Sequence, residues 1–494
     1  MNAGPRPPSS IRTSAAFTIG SNALQFGIQF ISSVIIARLL SPDEMGVFSI
    51  AMAAYGLVFA FQNTGVIQYL VSQEELTPSK IGTTIGMNAL QSLAFAATLI
   101  ALSFGVAWIL SDARIVPAVS LLAVSALLTP MIQIPVGLMQ RAMRFDSLFV
   151  INVASTTVNA GVAVACAMYG LSYASLAWGS IAGSLVSGSI GCALCWRQLL
   201  VAPTLEHWRE YWRFGLSMLS IVIITNLCSR SSIIVLGKLT SVATVGYFGR
   251  ATGIVEMVQY GLIEPLSRLV LPTLSEHKRR GEAFGKTYLR VANVITAVSW
   301  ASFAGLAVLA EPLITLVYGP TWLPAAPALV LLCAARMLIE FSSCSIEVMV
   351  ASDRLAAMPR LAAVKSVAGL AAFSIGATFG LVWASAGRVL ESALSSILYL
   401  PQIRSATGVR QVELGSVWLF NFVATLAAIA PALGWMIAFD WPSELPILTL
   451  LALIASGVAC WLIVLFLFKH EIWMQIRQVL NAPVLNRLVG NRLK

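Results

Sequence analysis

Apolar residues in this chain do not alternate with polar ones; they run in long blocks, each broken by a short polar turn. A bilayer-crossing helix needs roughly 20 mostly apolar residues. The stretches that meet this are 13–37, 46–71, 81–110, 115–138, 147–169, 173–196, 214–240, 244–274, 287–310, 322–351, 360–380, 382–401, 415–438 and 444–468. Their connections are short, as at Pro42-Asp43-Glu44 and Gly380-Leu381, and none could fold into a soluble domain. The pattern predicts an all-α polytopic membrane protein of about 14 transmembrane helices. Several blocks exceed the hydrocarbon thickness, which calls for tilt or extension past the headgroups.

Composition excludes the main alternatives. Only 11% of the 494 residues are charged against 58% hydrophobic, with a mean hydropathy of +0.84. Soluble domains carry about 25% charged residues, so a soluble enzyme, a disordered chain and a nucleic-acid-binding protein are excluded. The net charge is nevertheless +10. With the N-terminus inside, the outer segments hold only Arg38, Arg114 and Lys238, and the inner ones hold most of the other Lys and Arg. That bias predicts cytoplasmic termini and an even number of spans. The first apolar run carries Asn22, Gln25 and Gln29 and ends in Arg38 rather than a small-residue cleavage site, so it reads as a retained helix and not a signal peptide.

Cysteine and histidine add no chemistry. The seven Cys lie inside apolar runs, an odd number giving no disulfide framework, and the pair Cys192 and Cys195 reads as helix packing. His207, His277 and His470 are far apart, with no zinc or triad spacing. No metal and no cofactor are expected.

A repeat occurs at a spacing of 200 residues. The stretch Ser32-Ser-Val-Ile-Ile-Ala-Arg-Leu-Leu-Ser-Pro-Asp-Glu-Met-Gly-Val-Phe48 lines up with Ser232-Ile-Ile-Val-Leu-Gly-Lys-Leu-Thr-Ser-Val-Ala-Thr-Val-Gly-Tyr-Phe248. The weight falls on Arg38/Lys238, Ser41/Ser241 and Gly46/Gly246 in the turn. An even number of spans separates the copies, so both have the same orientation, as in transporters whose lobes are related by an axis along the membrane normal. The expected organisation is an N-terminal lobe 1–200, a C-terminal lobe 201–413 facing it across a central cavity, two appended helices in 414–468, and a basic amphipathic tail 469–494 on the inner membrane surface.

The turn Ala37-Arg-Leu-Leu-Ser-Pro-Asp-Glu-Met-Gly-Val-Phe48 resembles the first-loop signature of the polysaccharide transporter (Wzx-type) flippases of the multidrug/oligosaccharidyl-lipid/polysaccharide superfamily. Gln140-Arg-Ala-Met-Arg-Phe145, Tyr318-Gly-Pro-Thr-Trp-Leu-Pro-Ala-Ala-Pro327 and, more weakly, Pro272-Thr-Leu-Ser275 agree with it in order along the chain. The resemblance implies a non-enzymatic flippase in a bacterial inner membrane. It would carry a polyprenyl-diphosphate-linked sugar repeat unit from the inner to the outer leaflet by alternating access. Implied partners are that lipid-linked sugar, membrane lipid, a polysaccharide polymerase and chain-length or export machinery.

A charge at the bilayer centre costs at least about 2.5–3.5 kcal/mol, so each intramembrane charge needs a partner or a watery cavity. Arg230, Arg250, Glu256, Glu264, Arg336, Glu340, Glu347, Arg388 and Glu391 all fall in the second lobe. Arg336 with Glu340 and Arg388 with Glu391 have the spacing of salt bridges that only hold the lobe together; Arg230 has no acid within a turn and suits a cavity. Guanidinium binds phosphate bidentately, so Arg230 and Arg250 foremost, then Arg336 and Arg388, are diphosphate candidates. Glu256, Glu340 and Glu347 are candidates for H+ or Na+ coupling.

In the first lobe Asn22, Gln25, Gln29, Ser32 and Ser33 form a stripe on one helix, Tyr55, Gln62 and Tyr69 on the next, and Gln133 lies on a third. These are either interhelical glue or a hydrated wall for sugar hydroxyls. Pro130, Pro135, Pro265 and Pro272 are expected kinks. Two other functions fit a polytopic chain: a cation-coupled multidrug or metabolite antiporter of the same superfamily, and a membrane glycosyltransferase or polymerase. More Arg than unpaired acid in the spans argues against the first. Outer loops with scattered acids only, such as Asp112, Glu311 and Asp440, argue against the second.

Overall fold

The computed structural model describes residues 11–62, 66–73, 75–268, 270–279, 284–352, 354, 358–468 and 470–471. Of the amphipathic tail expected over 469–494 only His470 and Glu471 are described, and the side chain of Gln62 lies outside what it describes. The helices are α1 (Ile11–Leu39), α2 (Pro42–Gln62), α3 (Val66–Ser72), α4 (Pro78–Leu110), α5 (Ile115–Leu127), α6 (Thr129–Arg141), α7 (Phe145–Met168), α8 (Ala174–Leu199), α9 (Trp208–Leu239) and α10 (Val242–Val258). They continue as α11 (Glu264–Ser267), α12 (Val270–Arg279), α13 (Phe284–Val308), α14 (Ala310–Tyr318), α15 (Ala326–Ile339), α16 (Ser345–Ala351), α17 (Met358–Ala377), α18 (Leu381–Thr407), α19 (Gln411–Ala438) and α20 (Ile447–Leu467). No strand occurs among the described residues. Only helices satisfy their backbone within one segment, which hydrocarbon demands. The protein is a multi-pass membrane protein, with ten helical stretches among the described residues long and apolar enough to span by length and composition.

Two compact units emerge, one of Met1–Arg250 with Ala362–Ala384 and the other of Ala251–Leu361 with Ser385–Lys494. In the first, the repeat seen in the sequence becomes a local symmetry. The Ser41 Oγ accepts from the Glu44 backbone N–H (3.3 Å) while the Glu44 carboxylate accepts from the Ser41 N–H (2.8 Å), a capping box that starts α2. Two hundred residues on, Ser241 Oγ accepts from the Thr244 N–H (3.2 Å) and starts α10 in the same way. The two helices then cross at their equivalent glycines. A Cβ on Gly46 would overlap the Val242 carbonyl oxygen, and one on Gly246 the Pro42 carbonyl oxygen. One turn further, a Cβ on Gly249 would stand 2.9 Å from Ser49 Oγ. Outside the spans, Arg114 bridges Asp43 (2.5 Å) and Asp112 (2.7 Å), and its guanidinium holds the Asp112 carboxyl below the usual range.

The prolines act unequally. Pro130 follows the α5/α6 junction, and Pro265 follows a π-helical segment, Gln259–Ile263, that links α10 to α11; π segments mark interrupted ladders. Pro135 and Pro272 sit inside helices. In the second unit α13 packs on α15 and α19, and α19 on α20. Just past α20, His470 stacks on Phe420 with centroids 5.2 Å apart, and Glu471 pairs with Arg290 at 3.4 Å.

Two predictions follow from this packing. Gly246→Ala should cost about 1–3 kcal/mol from overpacking, read as a lower melting temperature in detergent, whereas Gly253→Ala on the same helix, with nothing within 4 Å, should be near neutral. Burial pushes the His470 imidazole down to about 4, against an unfolded value of about 6.5. The released segment therefore binds a proton that the docked one does not, and docking weakens as pH falls from 6.5 towards 4, by on the order of 3 kcal/mol in all. Hydrogen-exchange protection factors of the amides at residues 465–468, corrected for the intrinsic pH dependence of exchange, should fall over that range in the native protein and stay level in His470→Gln.

Candidate functional site

Arg230 and Arg250 lie at similar depth, about 13 Å before the end of α9 and about 12 Å after the start of α10 at ~1.5 Å per residue. Helical side chains lean towards the N-terminus, so the two diverge. Arg230 runs back along α9 and crosses Gly56 of α2, where a Cβ would stand 2.7 Å from its Nε and 2.9 Å from its Cδ. It is half-buried, and among the described residues no carboxylate pairs with it. Arg250 turns the other way and is buried, its Nη1 donating to Ser33 Oγ at 2.8 Å and its Nη2 to Met45 Sδ at 3.4 Å. Met45 and Gly56 are about 16 Å apart along α2 by helical rise. One diphosphate cannot span the two guanidinium groups in this conformation, so the structure does not bring the expected pair together.

The polar stripes divide into glue and free surface. Gln25 donates to Ser21 Oγ at 2.8 Å and accepts from Thr156 at 3.4 Å, and Gln133 accepts from the buried Asn88 at 3.1 Å. These join helices. Asn22 and Gln29 are exposed on α1. Tyr55 stacks on Phe59 and meets Phe95 edge-on, at centroid distances of 5.7 and 5.2 Å, next to the glycine that Arg230 crosses.

Charges in the second unit behave differently again. Arg388 pairs with Glu391 at 2.6 Å, the structural bridge that their spacing allowed. Arg336 and Glu340 do not pair. The α-helix ends at Ile339 and tightens into a 3₁₀ turn over Glu340–Ser342. Glu340 is buried and accepts instead from Ser299 Oγ at 3.2 Å, with Ser343 beside it. Glu347 is half-buried on α16, and Glu256 is exposed on α10.

An apolar cavity of about 430 Å³ opens among α13, α19, α20 and the π segment. Leu262, Leu306, Ile429, Ile454 and Trp461 form much of its wall. It is the right chemistry for a hydrocarbon chain and the wrong one for a sugar. Sequence reasoning missed both this cavity and Gly56. Apolar lining looks like any lipid-facing residue, and a glycine in a span shows its use only when its neighbour is known.

The fold defined by these helices is that of a membrane transporter. It resembles "Lipid II flippase MurJ, inward closed conformation" with a TM-score of 0.73 at 14% identity, covering 93% of this chain and 99% of that one. A second likeness is to an inward-facing multidrug resistance MATE family transporter of the MOP superfamily, with a TM-score of 0.57 at 12% identity, covering 80% and 95%. Residues 35–327, more than half of the chain, match the family model for "Polysaccharide biosynthesis protein", and the chain belongs to that family. Among its relatives, the "Lipopolysaccharide biosynthesis protein WzxC" of Escherichia coli is 21% identical over 83% of this chain and 84% of its own length. The "Succinoglycan biosynthesis transport protein ExoT" of Rhizobium meliloti is 22% identical over 75% of each. The resemblance drawn from the turn motifs is borne out.

Gly56→Ala should force Arg230 off α2 and cost about 1–3 kcal/mol. Arg230→Ala should leave room for the new methyl, so the double variant should melt closer to the native protein than Gly56→Ala does. Additive losses in that cycle would show that the two residues do not touch.

Proposed function

We propose that this protein is a flippase for a polyprenyl-diphosphate-linked oligosaccharide repeat unit in the synthesis of a cell-surface or exported polysaccharide. Transport runs from the inner to the outer leaflet of a bacterial inner membrane by alternating access of the two repeat halves, with both termini cytoplasmic. Its family and relatives supply the pathway class. The observation that carries the reading is Arg230, a guanidinium at mid-span depth with no carboxylate partner among the described residues.

Physical chemistry connects these parts. A diphosphate cannot cross hydrocarbon unaided, and a guanidinium replaces water around its oxygens with bidentate hydrogen bonds. Arg230 is the better placed of the two expected arginines, because Arg250 is engaged by Ser33 and Met45. Tyr55 beside Gly56 offers an aromatic face to a sugar ring, and exposed Asn22 and Gln29 offer amides to its hydroxyls. The apolar cavity of the second unit suits an isoprenoid tail. An inside-negative potential helps the anion leave: at about 2.3 kcal/mol per charge per 100 mV, two negative charges gain roughly 4–5 kcal/mol.

In cells lacking the protein, complete lipid-linked repeat units should accumulate on the inner leaflet, and the native gene should clear them. Arg230→Ala, matched for membrane level, should lose about 2–5 kcal/mol of substrate binding and leave most of the accumulation in place. Full export by that variant would remove Arg230 from the site. Single repeat units accumulating on the outer leaflet of the deletion strain would point to a polymerase instead.

A further inference from the structure

The turn between α18 and α19 reads Arg404-Ser-Ala-Thr-Gly-Val-Arg410, and its own atoms fix its shape. Gly408 takes a left-handed conformation (φ 71°), and its N–H donates to the Arg404 carbonyl at 2.9 Å. Glycine adopts that conformation without steric cost and closes helices in this way. Thr407 Oγ1 donates to the Ile403 carbonyl (2.8 Å) and accepts from the N–H of the buried Val409 (3.3 Å). A Cβ on Gly285 would stand 2.7 Å from the Thr407 carbonyl oxygen, so the start of α13 presses on the turn as well.

This fixed turn places two arginines on one pocket. The pocket holds about 470 Å³ and is lined by Pro401, Arg404, Ser405, Gly408, Val409 and Arg410. Arg354, which precedes α17, joins it by donating from Nη1 to Ser405 Oγ. The acid beside the group is Glu413. Its carboxylate accepts from the Arg410 N–H at 2.8 Å and stands 3.9 Å from Arg410 Nη2, an ion pair open to solvent and worth little. Arg404 Nη1 donates to the neutral Gln411 Oε1 at 3.1 Å, while its Nε is buried without a hydrogen-bond partner among the described residues. No carboxylate among those residues pairs with Arg354 or Arg404. A buried donor without an acceptor bears its full desolvation cost, and three like charges in one place repel. An anion in the pocket would relieve both.

The side of α18 indicates which anion. Leu390, Ile397 and Arg404 follow at seven-residue intervals and share a helix face. Leu390 is 62% and Ile397 68% exposed, an apolar strip that leads along the helix to the pocket. A lipid lying on that strip keeps its chain against Leu390 and Ile397 and brings its phosphate to the arginines. Guanidinium forks bind phosphate oxygens in pairs, and basic pockets between membrane helices take lipid headgroups.

We propose that Arg354, Arg404 and Arg410 form a binding site for the phosphate of an anionic bilayer phospholipid. One phosphate held by all three ties the segment before α17 to the end of α18 and the start of α19. The lipid composition of the membrane then sets how firmly these helix ends are joined. A charge that only marks topology needs neither a fixed turn nor a buried donor, and Arg404 has both.

The full-length protein in detergent, titrated with phosphatidylglycerol and followed by native mass spectrometry, should bind its first lipid more tightly than it binds phosphatidylcholine. Arg404→Gln and Arg354→Gln should each weaken phosphatidylglycerol binding about tenfold or more, the effect of losing a hydrogen bond to a charged group. Arg197→Gln, which removes an exposed arginine of the first unit, should change it by less than about twofold. Arg354 is exposed and touches the turn through Ser405, so its variant carries the test if Arg404→Gln loses the native melting temperature. The proposal is overturned if Arg197→Gln weakens binding as much as the other two, which would make the attraction a diffuse one. It is overturned equally if both pocket variants keep the native melting temperature and the native affinity, or if phosphatidylcholine binds as tightly as phosphatidylglycerol. Inorganic phosphate that displaces the lipid and stabilises the protein as well as phosphatidylglycerol does would assign the pocket to a soluble anion instead. No lipid-linked sugar is used, so the result is independent of the flippase reading.

Discussion

In hydrocarbon a polar group that loses its partner has no water to turn to, and the departures of this structure from continuous apolar helices answer to that constraint. Where the helix must break, at Glu340–Cys344, Trp300, Ser396, Ser342 and Tyr288 are already in place to receive the freed carbonyls. Where a charge must sit in a span, it is bonded as Arg250 is, paired as Arg388 is, or left at a partly open site as Arg230 is. The last of these is the costly arrangement. A group held at such a cost and not used to stabilise the fold is the natural place to look for contact with a charged substrate.

The same constraint separates the labour of the two units. The first supplies Arg230, the close approach at Gly56 with Tyr55 beside it, and exposed amides on α1. The second supplies an apolar cavity and a buried acid. A lipid-linked sugar has this duality, a tail that must stay in hydrocarbon and a head that must not. Its transporter therefore needs both kinds of surface, and needs neither to be large.

Much of this was readable in the sequence, for identifiable reasons. The helices followed from block length, and the two starts at Ser41 and Ser241 from capping chemistry that acts over three residues. The Arg388–Glu391 bridge followed from a spacing that holds wherever the helix is continuous. The same rule failed at Arg336 and Glu340 because the acid accepts from Ser299, 41 residues away on α13, and nothing in Ile339-Glu340-Phe341-Ser342 announces the 3₁₀ turn, beside which donors 37 to 58 residues away on other helices serve the carbonyls. Arg250 misled for a similar reason. Its partners Ser33 on α1 and Met45 on α2 are more than 200 residues distant, and only the packing of α10 against the first two helices brings them near.

That crossing has a consequence for how the chain can vary. Gly46 is pressed against the backbone oxygen of Val242, and Gly246 against that of Pro42, so each copy of the repeat uses its own glycine to make room for the main chain of the other. Main-chain atoms cannot be trimmed by substitution. A larger residue at either glycine therefore has no compensating change at its counterpart, and the pair behaves as two separate obligations. A duplicated turn would ordinarily free one copy to drift; here the symmetry that duplication created keeps both copies small.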